Sequence, residues 1–97
     1  MHAVIRRYTY SGQGMSDVIK EKGDDLRRTM ATTPGFKSYT MILSESTSSL
    51  ATVTVCDDAA GTSASNPIAA AWVRANMPAS ITLGPPETME GEVALST

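Results

Sequence analysis

The strongest constraint on the fold of this chain is the order in which its hydrophobic period changes. Branched and aromatic residues of strand type open the chain, and apolar residues then recur at helical spacing. Two further strand-like runs follow, then a second helical stretch, then a last alternating run. Period 2 sends successive side chains to opposite faces of a strand. Period 3.6 gathers them on one side of a helix. The predicted order is therefore strand, helix, strand, strand, helix, strand.

Ala3 to Tyr10 (AVIRRYTY) is rich in branched and aromatic residues and reads as the first strand. The turn cluster Ser11 to Gly14 ends it. From Met15 onward, Met15, Val18, Ile19, Leu26 and Met30 share a helical face, opposite Asp17, Lys20, Glu21, Asp24, Arg27 and Arg28. Lys22 and Gly23 fall on the apolar side. A glycine inside a helix costs about 1 kcal/mol against alanine, so close packing is the expected reason for Gly23. Pro34 and Gly35 stop the helix.

Phe36 to Ser44 and Leu50 to Cys56, joined by the loop Glu45 to Ser49, form a hairpin. On the latter strand Ala51, Val53 and Val55 face one way, Thr52 and Thr54 the other. Asp57 or Asp58 can cap the second helical region. Pro67 predicts a break there, with Asn66 capping the second piece. In that piece Ile68, Ala71, Trp72 and Ala75 share a face, continued backwards by Gly61, Ala64 and Ser65. These small residues imply either a helix lying very close to the sheet or a space left open. Ala79 to Pro86 reads as a long connection, and Glu87 to Ser96 as the last strand.

Two right-handed crossovers of this kind interleave into one four-stranded antiparallel sheet with both helices on one face. That is the ferredoxin-like βαββαβ arrangement of the α+β class, expected as a single domain over residues 1–97. The first strand lies centrally. The uncovered sheet face is too apolar for water, so a homodimer through that face is expected.

Composition narrows the function. The formal charge is −2 and the basic residues are scattered, which argues against a nucleic-acid footprint. No apolar run reaches the roughly 20 residues that span a bilayer, and the N-terminus lacks a signal peptide's apolar core. One cysteine forbids an internal disulfide, and a cytoplasmic location is the default. One His and one Cys give no metal-ligand set, and no glycine-rich phosphate loop follows a strand, so no metal or cofactor is expected.

The chain resembles the dimeric α+β-barrel superfamily, in particular an uncharacterised branch like the antibiotic biosynthesis monooxygenases. The likeness spans the whole length. It is carried by the element order, by AVIRRY opening the chain and by Pro34, Gly35 and Phe36 before the second strand. TVTVCDD, AAAWVRANMP and PPETMEGEV carry the rest. The resemblance implies a ligand cavity between sheet and helices. It would have Val4, Arg6 and Tyr8 facing that cavity, and Ala3, Ile5, Arg7 and Thr9 facing the partner subunit. It also tells against heme degradation. Arg6 stands where heme-degrading members carry asparagine, the only histidine is His2, and Trp72 lies further along its helix than their tryptophan.

Four residues are the candidate ligand-binding set: Arg6, Tyr8, Asn66 and Trp72. Arg6 either anchors a carboxylate, phenolate or oxyanion, or pairs with Glu90 or Glu92. Tyr8 and Tyr39 either orient an aromatic substrate or bury a ring and wet a hydroxyl. Trp72 is core or cavity wall, Asn66 a helix cap or a cavity amide, Lys22 a snorkelling side chain, Cys56 a small core residue, and His2 a mobile terminal group. No catalytic residue is assigned. Two functions remain open: a cofactor-independent oxygenase acting on a small aromatic or polyketide-like molecule, and a non-catalytic dimeric module with a ligand-binding or structural, stress-related role.

Overall fold

The computed structural model describes Met1–Thr97. Its elements are β1 (His2–Gly12), α1 (Met15–Met30), β2 (Phe36–Ser44), β3 (Ser49–Cys56), α2 (Ala59–Asn76), β4 (Ile81–Leu83) and β5 (Glu87–Glu92). The sheet is antiparallel. β1 is central, with β3 and then β2 on one side and both β4 and β5 on the other. This is the ferredoxin-like α+β arrangement the sequence implies.

One difference is instructive. The last strand arrives in two pieces, and the expected connection around Ile81–Leu83 is itself a strand. Tyr10 lies opposite Leu83, whereas Arg7 lies opposite Glu87, so three steps along β1 face four along the returning chain. The extra residue falls at Gly84–Pro86. Two adjacent prolines cannot donate to a ladder, so pairing lapses there and resumes one register later. The strand also stops earlier than expected. Val93 still donates its backbone N–H to the Met1 carbonyl, but Leu95 lies beyond the sheet and is 90% exposed.

The second helix corrects another expectation. α2 runs without interruption through Pro67, capped by Asp58, whose carboxylate accepts from the Gly61 N–H at 3.1 Å. Asn66 is therefore not a cap. Pro67 and Ser63, whose carbonyl loses its usual donor, are both exposed, so water can take up the orphaned acceptor. The buried stripe is Gly61, Thr62, Ser65, Ala69 and Trp72; Ala71 and Ala75, expected on the inner face, are exposed.

Two small apolar clusters hold the layers together. One joins Tyr8, Met15, Leu50 and Ile81; the other joins Leu26, Met30, Ala69 and Trp72. Only 17 of 97 residues are buried, because the second face of the sheet has no cover. That face carries Ile5, Ile42 and Met89 at 38%, 59% and 72% exposure, and the half-buried Ala51, Val53 and Val55. The helix-covered face of β3 carries the threonines instead. Lys22 is half-buried: its Nζ donates to the Asn76 carbonyl at 2.7 Å, placing a cation at the C-terminus of α2.

Two glycines separate packing from space. A Cβ at Gly61 would stand 2.4 Å from the Pro34 carbonyl oxygen and 2.8 Å from Cys56 Cβ, so α2 does lie very close to the sheet there. A Cβ at Gly23 would meet only Ile19 Cγ2, at 3.9 Å; the close packing expected there is absent. Gly61→Ala should lower stability by about 1–3 kcal/mol through overpacking. Gly23→Ala should raise it by up to about 1 kcal/mol. Urea denaturation of the two variants measures both; a destabilised Gly23→Ala would reveal a contact this geometry lacks.

Candidate functional site

Strand alternation decides the fates of the two neighbouring arginines. Val4, Arg6 and Tyr8 point under the helices and are buried; Ile5, Arg7 and Thr9 point to the open face. Arg7 makes no ion pair within 4.0 Å; across the ladder it faces Glu87.

Arg6 is 2% exposed. Its Nη1 donates to Asn66 Oδ1 at 2.7 Å and to Ser65 Oγ at 3.1 Å, and its Nη2 donates to Thr54 Oγ1 at 2.8 Å. Ser65 is free to accept because its own hydroxyl proton goes to the Thr62 carbonyl at 2.6 Å. No carboxylate contacts the guanidinium, so the alternative pairing with Glu90 or Glu92 does not occur. Glu90 instead accepts from Thr62 Oγ1 at 3.3 Å and stands 4.0 Å from His2 Nδ1. His2 is therefore not mobile: it sits in β1, with Nδ1 2.9 Å from Thr62 Oγ1.

A guanidinium has five N–H groups. Three are taken by these bonds, and the buried Nε has no acceptor. Thr52 Oγ1, on the residue opposite Arg6 in β3, is also buried without a partner.

Arg6 and Tyr8 line an open cleft of about 560 Å³. Asn66, Ala70 and Arg74, one stripe of α2, form one wall; Leu83, Gly84, Pro86 and Thr88 form the other. That volume falls within the range of small-molecule sites. Two arginines and no carboxylate line it, although the chain as a whole is acidic. Trp72 is not in this cleft. It packs against Leu26 and Met30, donates Nε1 to Asp25 Oδ2 at 2.8 Å, and borders a separate enclosed apolar chamber of about 40 Å³. The structure thus brings together Arg6, Tyr8 and Asn66, and sets Trp72 behind them.

Burial holds the tyrosines protonated. It raises Tyr8 against the opposing pull of Arg6. Tyr39 is pushed up to about 12 by burial, with Arg6 opposing and Tyr8 reinforcing. Both rings are donors near neutral pH rather than bases. Burial, with Asp57 and Asp58 adding to it, also raises the Cys56 thiol and keeps it inert. Thr54, Ser65 and Arg74 escaped the sequence reading. The two hydroxyls read as a strand face and a small helix residue; only the 66/70/74 spacing could have drawn Arg74 in.

No protein-family model matches the chain, and no curated protein matches it. Solved structures do match. SnoaB, a cofactor-independent oxygenase from Streptomyces nogalater, is 20% identical over 98% of this chain and 94% of its own, with a TM-score of 0.65. A monooxygenase from Streptomyces coelicolor, in complex with nanaomycin D, is 15% identical over 98% and 92%, with a TM-score of 0.65. A dimeric ferredoxin-like protein of unknown function from Thermobifida fusca is 16% identical over 95% and 92%, with a TM-score of 0.58. At these identities the likeness is one of fold. No helix of the chain is long and apolar enough to cross a membrane.

The buried phenols carry a sign-definite consequence. Tyr39 has a folded value of about 12 against a usual 10, so its contribution is fully present below pH 10. Above that the unfolded chain loses the proton first. Stability should fall by about 1.4 kcal/mol per pH unit until the folded value is passed. Denaturant titrations between about pH 10 and 12 should give a shallower loss for Tyr39→Phe than for the wild type. Equal slopes would mean that the Tyr39 hydroxyl is already wet.

Proposed function

We propose that the chain is a single domain over residues 1–97 that works as a homodimer. In this reading it is a cofactor-independent monooxygenase-like enzyme for a small aromatic or polyketide-like molecule bound in the cleft. The observation that carries this is the Arg6 guanidinium: buried, without a counter-anion, and bordering an open cleft. The oxygenases of the same fold support the reaction class, and the ligand held by one of them supports the substrate class.

The chemistry follows from the residues at hand. An anthrone or related molecule loses a proton and becomes a delocalised oxyanion. Arg6, which borders the cleft, sets its positive charge beside that oxygen, in a low-dielectric site where it acts strongly. Asn66, Ser65 and Thr54 hold the guanidinium in place, so little reorganisation is needed as charge develops. The anion gives electrons to dioxygen, and a peroxide forms at the ring carbon. Loss of water completes a four-electron oxidation of CH2 to C=O. One oxygen atom stays as the carbonyl and the other leaves with two hydrogens. The cleft lining contains no carboxylate or histidine. Proton loss therefore depends on the substrate's own acidity, increased by Arg6.

Oxygen-electrode measurements with anthrones and quinols of graded acidity test this. Uptake should exceed a protein-free blank, and its pH midpoint should track the substrate's acidity. Arg6→Met should lower kcat/KM by about 100-fold. Uptake no greater than the blank, together with substrate analogues that bind and raise Tm, would favour the non-catalytic ligand-binding reading.

The assembly is tested separately. The uncovered apolar face carries Ile5, Ile42, Val53 and Met89, and a protein of the same fold is dimeric. Analytical ultracentrifugation should give a dimer for the wild type and a monomer for Ile42→Glu with Met89→Glu. A wild-type monomer at micromolar concentration would overturn the assembly.

A further inference from the structure

We infer that the enclosed apolar chamber is a dioxygen compartment, entered between α1 and β2 at Gly23 and opening towards the cleft past Tyr8, Val73 and Leu83. The identity of the gas rests on the oxygenase reading; the compartment itself does not.

The chamber of about 40 Å³ lies between α1, α2 and the sheet. Thirteen of the fifteen residues around it are hydrophobic. A buried water needs two to four polar partners. The hydroxyls of Tyr8, Tyr39 and Thr52 belong to its lining residues but form almost none of its wall, so it favours an apolar guest over water. An aromatic substrate does not fit: an engineered void that takes benzene measures about 150 Å³. A diatomic gas does.

Its position matters more than its size. Tyr8, Val73 and Leu83 line both the chamber and the cleft, so these side chains are the partition between the two. On the opposite side, Ile19, Gly23, Leu26, Tyr39 and Met41 line both the chamber and a surface groove beside β2. The chamber therefore stands between solvent on the α1 side and the substrate cleft on the α2 side. Gly23 is the thin point of the outer wall. No neighbour needs the missing side chain for packing, since a Cβ there meets nothing nearer than 3.9 Å. What the glycine does is leave the gap open. A substrate seated on Arg6 fills the wide cleft and blocks that approach, so a second, apolar route brings the gas to the substrate from behind Tyr8.

Trp72, the only tryptophan, borders the chamber and reports on it without any turnover. Crystals of the wild-type protein under xenon should show xenon in the chamber. Gly23→Leu should exclude it and reduce dioxygen quenching of Trp72 fluorescence several-fold. Gly23→Ala should fall between the two and guards against misfolding of the larger variant. With an oxidisable anthrone, Gly23→Leu should raise KM for dioxygen and leave KM for the anthrone unchanged. A wild-type chamber without xenon, or quenching that is the same in all three proteins, overturns the compartment. Xenon uptake blocked by Gly23→Leu in a protein that oxidises no anthrone keeps a gas compartment and removes the oxygenase.

Discussion

Much of the fold is arranged around one buried cation. Moving a guanidinium out of water costs several kcal/mol even after relaxation. Here it is offset by neutral oxygens from three places in the chain: Thr54 on β3, and Ser65 and Asn66 on α2. Each such bond to a charged donor contributes about 1.5–3 kcal/mol, so the cation comes near to balance without a carboxylate. The arrangement ties central strand, neighbouring strand and helix to one planar group. It also requires α2 to stay helical through Pro67, because a break at Asn66 would turn its amide away from Arg6. The buried Nε is left without an acceptor, so the network around the cation is not closed.

The parts of this that rest on periodicity were legible in the sequence. Adjacent arginines in a strand must part; that Arg6 goes under the helices with Tyr8 while Arg7 goes outward is implied by the resemblance to the dimeric α+β barrels, not by alternation. The central place of β1 follows from the order of elements. What periodicity does not carry is the identity of partners. Ser65 and Thr54 are uncharged, and nothing local marks them as acceptors for a residue 59 or 48 positions away. Pro67 misled for the same reason. A local rule predicts a break, but the orphaned carbonyl is on the solvent side, where it costs little. The prolines before β5 show the opposite case. They lie in the ladder itself, and there the rule operates and splits the strand.

The middle of β3 is more apolar on its open face than under the helices. The covered face carries Thr52 and Thr54 between Leu50 and Cys56, and the open face carries Ala51, Val53 and Val55. A domain meant to stand alone would put its valines under the helices. An open face with Ile5, Ile42, Val53 and Met89 suits cover by a second copy, the assembly proposed above. It explains why so small a chain buries so few apolar residues of its own.

The same division appears in the two glycines of the helix inner faces. At Gly61 the backbone of α2 is pressed onto Cys56 and Pro34, and the absence of a side chain is what lets Ser65 and Asn66 come down to Arg6. At Gly23 no such pressure exists, and the helix bears the conformational cost of glycine with no packing in return. A glycine that packing does not explain stands beside an apolar void that ends at the wall of a charged cleft. Two arginines line the cleft, and no charged residue lines the chamber. A reaction joining an anion to an apolar gas needs both kinds of space meeting at one wall, and Tyr8 stands in that wall beside the arginine.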